Sequence, residues 1–294
     1  MEGVGEHFGR SVDAVLRRPR TAIVPLLVDV VWLIGGTVLF AALAGVRLLF
    51  PQGYRLPNFP VAVPHALPTV GDIMGPTPDL HVAGSGALVA AAALILLGIP
   101  LLAYAEAGFL GVLKAVYLSR HDEILEGRHA DAWSRIREAF ALTARAHFRT
   151  FLILRAIQAG FALAALALPL VIPQLPNYGF GILAADVLLL FAPYAAVEAK
   201  KGPVAAIRES MQLVSDHLAT TLVALLFGFL LTGGLGYLAE KVTRYLGVAT
   251  PFVAALVYAP VGTLLALFLY RVYLGFYPQE SLPESAPAPH AAPA

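Results

Sequence analysis

Six apolar runs, residues 23–50, 87–118, 151–173, 180–199, 220–239 and 251–277, constrain how this 294-residue chain can fold: none carries more than two charged side chains. A helix needs about 20 predominantly apolar residues to cross the hydrocarbon core of a bilayer. Lipid also demands that backbone polar groups be satisfied within the crossing segment, which favours helices. The predicted fold class is therefore all-α, a polytopic membrane protein with six transmembrane helices. With 59% hydrophobic and 13% charged residues, the chain has too little polar surface for a soluble globule. A net charge of +1 creates no global field that would recruit nucleic acid.

Charge distribution predicts the orientation. Arg10, Arg17, Arg18 and Arg20 precede the first run, and Lys114, Arg120, Arg128, Arg135, Arg137, Arg145 and Arg149 flank or occupy the segment between the second and third. Lys200, Lys201 and Arg208 follow the fourth, and Arg271 lies near the end of the sixth. Those fifteen cations face only Arg47, Arg55, Lys241 and Arg244 on the other side, with Arg155 inside the third run. The positive-inside rule then places both termini in the cytoplasm. Arginine outnumbers lysine sixteen to four and alanine is abundant, which suggests a GC-rich bacterial source and a cytoplasmic (inner) membrane.

The runs group into three hairpins, each introduced by an amphipathic helix on the cytoplasmic side. In the first unit Val4, Phe8, Val12, Val15 and Leu16 oppose Glu6, Arg10, Asp13 and Arg17; in the second Trp133, Ile136, Phe140, Ala144 and His147 oppose Arg135, Glu138, Arg145 and Arg149. In the third Val204, Ile207, Met211, Val214 and Leu218 recur at intervals of 3 and 4, which keeps them on one helical face. These stripes are predicted to lie at the membrane interface or against the ends of the spans, with Glu209 and Gln212 directed away. Each unit has a threonine at the entry to its apolar run, Thr21, Thr150 and Thr220, placed to satisfy helix-terminal donors. The return helices each contain a proline, Pro100, Pro193 and Pro260, which predicts a bend within each.

Residues 51–86, with seven prolines, read as an irregular outer loop, and residues 278–294 as a disordered cytoplasmic tail rich in proline and alanine. Ala42-Leu43-Ala44 has the form of a leader cleavage site, but the apolar run around it exceeds the ~7 to 15 residues of a leader, so a retained span is predicted. The absence of cysteine excludes disulfides and thiolate metal sites.

Of the ionisable residues inside the runs, Asp29, Glu106, Arg155 and Asp186 are the functional candidates. A charge at bilayer depth costs at least ~2.5 to 3.5 kcal/mol, so such residues are either ties between helices or parts of a polar pathway. Their distances from the cytoplasmic boundary make Asp29 and Arg155 a candidate pair across hairpins, while Asp186 has no evident basic partner. His121, Asp122, Glu123, His129 and Asp131 form one histidine-bearing cluster and His65, Asp72, Asp79 and His81 another, neither with a recognised metal-ligand spacing. No nucleophile elbow, Walker loop, dinucleotide fingerprint or zincin motif occurs, so no catalytic residue, metal or cofactor is assigned.

The segment from Phe191 to Ser210 places a proline-bearing span, an acidic residue at its exit, and a helix of the form Gly-Pro-x-x-Ala-x-x-x-Ser before a further span. This pattern resembles the membrane domain attached to some glycerophosphoryl diester phosphodiesterases and related prokaryotic six-span families. The resemblance extends over residues 119–277. It implies the membrane part without the phosphodiesterase catalytic barrel, for which the chain has no room, and it transfers no catalytic residue. The predicted function is a non-enzymatic accessory or scaffold module. A transporter or permease for a small or amphiphilic solute is the alternative, and an intramembrane lipid-modifying enzyme a third class. The bilayer, another membrane protein or a second copy of the chain are the expected partners.

Overall fold

The computed structural model describes residues 3–28, 30–31, 85–118, 129–171, 187–243 and 250–277. These are almost entirely helical, with no strand among them. The principal helices are α1 (Val4–Arg17), α2 (Ser85–Leu113), α3 (His129–Val171), α4 (Ala192–Glu198), α5 (Pro203–Asp216), α6 (Leu218–Thr243) and α7 (Thr250–Gly275). A 3-10 turn, Pro19–Ala22, follows α1, and a π turn, Lys114–Leu118, ends α2. Among the described residues, Gly98–Tyr117 is by itself long and apolar enough to cross a bilayer. Pro203–Asp216 with Leu218–Gly228 qualifies as a further candidate only as a pair bent by 99°.

The most extensive packing joins α2 to α3. Glycine makes the close approach possible: a Cβ on Gly108 would lie 2.6 Å from the ring of Phe140, and one on Gly111 would overlap the side chain of Thr143. Phe151, Phe191, Phe268 and Tyr270 are fully buried in the core that α2, α3, α4 and α7 share. α1 docks onto this bundle. Its Phe8 ring meets Phe227 at 5.5 Å and Phe268 at 5.6 Å, which fixes α1 against α6 and α7.

The three units are less alike than their sequences predict. The first and third break between amphipathic helix and apolar run, at Arg18 and at His217. The second does not break. α3 runs 43 residues through the expected joint, so residues 133–150 and the following run form one helix. No proline interrupts that joint, whereas the first unit has Pro19; the third joint lacks a proline too and still breaks. The threonines differ accordingly. Thr21 is buried, and its hydroxyl donates to the Arg18 carbonyl at 3.0 Å and contacts the Tyr117 hydroxyl, whereas Thr150 lies inside unbroken α3. Arg18 completes this tie by donating to the Val116 carbonyl in the π turn.

Pro100 and Pro260 lie inside α2 and α7 as predicted, but Pro193 does not lie in a helix interior. A turn at residues 190–191 interrupts the run, and Pro193 sits in the first turn of α4, where its missing N–H leaves no bond unmade. Ser210 of α5 stabilises this break: its hydroxyl accepts from the Phe191 N–H at 2.9 Å and donates to the Leu188 carbonyl at 2.7 Å.

The α5 stripe also requires correction. Ala206, Glu209, Ser210, Leu213 and Val214 are buried, while Val204 is 77% exposed, Met211 43% and Leu218 50%. The face that meets the protein thus combines the small Ala206 and Ser210 with Leu213, Val214 and Glu209, so only part of the stripe points inward.

Candidate functional site

Helical spacing places Tyr270, Tyr273 and Tyr277 on one face at the C-terminal end of α7 and just beyond it, at intervals of 3 and 4. Each hydroxyl donates to a carboxylate from another helix. Tyr270 bonds Oε2 of Glu198 at 2.7 Å, at the end of α4, and Tyr273 bonds Oε1 of Glu209 at 3.0 Å, in α5. Tyr277 donates to the same Glu209 oxygen. Each acid has a cation as well. The Lys114 ammonium is 3.0 Å from Oε2 of Glu198, and that of Lys201 pairs with Oε2 of Glu209, off the direction of a formed hydrogen bond.

A third ion pair lies deeper along α2. Arg155 Nε donates to Glu106 Oε2 at 2.8 Å, and Arg155 Nη1 donates to Gln158 Oε1 at 3.1 Å, one turn further along α3. Both charged side chains are largely buried, 9% exposed for Arg155 and 12% for Glu106. The buried ring of Tyr194 lies between the clusters, 5.1 Å from the Tyr270 ring and 6.2 Å from that of Tyr273. The result is a set of three carboxylates, each held by a cation and two of them also by phenols, joining α2, α3, α4, α5 and α7.

His147, on α3 before the third apolar run, completes the surroundings. Partial burial, then the positive fields of Lys114 and Lys200, hold its imidazole below the usual value of 6.5.

Two of the four residues singled out from sequence, Glu106 and Arg155, are brought together. Arg155 pairs with Glu106, while the expected pairing with Asp29 involves a residue outside the described ones. Asp29 and Asp186 lie outside the described residues. The outer-loop histidine cluster also lies outside them, as do His121, Asp122 and Glu123; His129 and Asp131 open α3. No group of three side chains among the described residues is placed to hold a metal ion.

Sequence reasoning overlooked the tyrosines because they count as apolar within a span, although their 3 and 4 spacing is visible. It overlooked Glu209 because a charged residue off the apolar stripe reads as solvent-facing. The Gly-Pro-x-x-Ala-x-x-x-Ser pattern has a local physical reading. Gly202 precedes the helix, Pro203 opens it, and Ala206 and Ser210, both fully buried, let α5 approach α4 and seal its broken start. The Ser210 hydroxyl uses its donor and an acceptor position on backbone, so no base activates it. The chain matches no protein-family model, no curated protein and no solved structure.

Proposed function

We propose that the chain is a non-enzymatic integral protein of a bacterial cytoplasmic membrane, with six spans in three hairpins and both termini cytoplasmic, acting as a membrane-embedded accessory or scaffold module. The observation that carries this reading is the use of each described buried acid. Glu106, Glu198 and Glu209 are all engaged by cations of the same chain, and two of them by phenols, so they serve as interhelical ties. A solute pathway calls for polar groups that exchange partners. A catalytic site calls for a nucleophile or base with a shifted and accessible proton.

Exposed apolar side chains support the membrane placement. Leu218, Leu222, Leu226 and Leu230 form an outward ridge along α6 at four-residue intervals, and Leu27 and Val31 are also exposed. Lipid is as apolar as a protein core, so such a ridge is stable only where hydrocarbon covers it.

Reporter fusions test the placement. Fusions after residues 60 and 245 should read as external, and fusions after 130, 210 and 285 as cytoplasmic. A cytoplasmic signal at 60 would overturn the topology. Purification in mild detergent tests the role: a stoichiometric protein partner is the expected result, and a tightly bound solute would instead favour a permease.

A further inference from the structure

We propose that α5 is an in-plane anchor that docks on an anionic lipid surface, with Val204 and Met211 in the acyl region and Lys200 and Arg208 at the headgroup phosphates. The proposal rests on the membrane placement above and names the lipid chemistry that this placement leaves open.

Viewed down its axis, α5 has three sectors rather than two. Ala206, Glu209, Ser210 and Leu213 are buried against the protein. On the second sector Val204 and Met211 are exposed and Ile207 is partly so. On the third, Arg208, Gln212 and Ser215 are exposed. A helix within a soluble bundle needs only a core face and a water face. A third, apolar and outward face suits a helix at the junction of protein, lipid and water.

The bend supplies the second argument. α5 meets α6 at 99°, and the exposed apolar surface continues around the corner from Val204 and Met211 to Leu218, Leu222 and Leu226. With α6 entering the hydrocarbon, α5 must lie nearly parallel to the membrane plane, and its apolar sector faces inward. Leu16 of α1, 74% exposed, adds an outward apolar side chain from the other broken unit.

Charge selects the kind of lipid. The link before α5 carries Lys200 and Lys201, the second turn carries Arg208, and the first turn has no acid. Lys201 is committed to Glu209, whereas Lys200 and Arg208 are exposed. Lys200 has a left-handed backbone, with φ of 50°, a conformation uncommon for a residue with a side chain. Cations at a helix N-terminus oppose the helix dipole, and an anionic headgroup there relieves both. Juxtamembrane lysine and arginine gain affinity from an anionic leaflet in the same way.

The chain has no cysteine, so single-cysteine variants of the whole protein can be spin-labelled at one defined position in reconstituted vesicles. Met211→Cys should give a nitroxide accessible to oxygen and shielded from a water-soluble nickel reagent, and Gln212→Cys the reverse. Water exposure at 211, or short-range coupling between labels on two chains, would overturn the anchor, the latter in favour of a second copy as occupant. Vesicles of phosphatidylcholine with spin-labelled phosphatidylglycerol test the charge. Replacing Lys200 and Arg208 by Gln should weaken selection for the anionic lipid by roughly fivefold per residue. Arg137→Gln, at an exposed position on α3, should leave it unchanged. Undiminished selection in the double variant would overturn the phosphate contacts. Alkaline carbonate extraction separates the two levels. Release of the protein overturns the membrane reading itself, while retention with a water-exposed 211 overturns only the anchor.

Discussion

Lys114 and Tyr270 meet on one oxygen, Oε2 of Glu198, at 3.0 and 2.7 Å. The contact joins the end of α2 to α7 through the last residue of α4. A phenol donating to a charged acceptor typically contributes ~1.5 to 3 kcal/mol. Tyr270→Phe should therefore lower stability by an amount of that order, read as a fall in the thermal midpoint in detergent with helical content unchanged. No loss would mean that Lys114 alone holds Glu198.

The Glu106–Arg155 pair calls for a double-mutant cycle. Removing one partner leaves the other uncompensated in a largely buried setting, which typically costs ~3 to 5 kcal/mol. Glu106→Gln and Arg155→Gln should each destabilise strongly, and the double variant should fall well short of their sum. Strict additivity would show that the contact is not formed. Single variants of normal stability that lost a solute or proton flux in proteoliposomes would instead mark a pathway.

Glu209 and Gln212 are three positions apart on α5 but should respond differently. Glu209→Ala leaves Lys201 and two phenols without their acceptor and should cost ~3 kcal/mol or more. Gln212→Ala changes an exposed position and should stay within about 0.5 kcal/mol. Chemical unfolding in mixed micelles measures both, and equal tolerance would mean that α5 does not dock through its Glu209 face.

His147 should give the protein an acid-sensitive limb. Its folded value is depressed by burial and by Lys114 and Lys200, so the unfolded chain binds the proton more readily. Its contribution is present above the unfolded value of 6.5 and is lost as pH falls from there through the lower folded value. The thermal midpoint should decline over that interval, and His147→Gln should flatten the decline. A steeper decline in the variant would reverse the sign assigned to His147.

Buried charges were legible in the sequence because a charge within an apolar run stands out; their partners were not. Depth below a boundary did not put Glu106 forward as a partner for Arg155, and the packing of α2 on α3 through Gly108 and Gly111 brings the two together. For α5, helical periodicity found the apolar stripe but not its destination. Where lipid is available, an apolar stripe is as stable facing outward as inward, so hydrophobicity does not identify the protein-facing side. The small residues Ala206 and Ser210 carried that information, since close packing selects for size. The joint in the second unit was misread by analogy with its neighbours, although it lacks the proline that follows Arg18 in the first.

A helix of 43 residues measures ~65 Å at about 1.5 Å per residue, roughly twice the thickness of the hydrocarbon core. Its N-terminal half is clamped to α2, with Phe140 on Gly108 and Thr143 on Gly111, so the long helix and its clamp form one rigid unit. The first and third units can absorb a tilt of their spans at a hinge, whereas α3 must carry any such tilt to its far end. Any such tilt would carry with it Trp133, exposed near the start of α3, which makes that end of the helix the place where a neighbouring molecule would meet the movement.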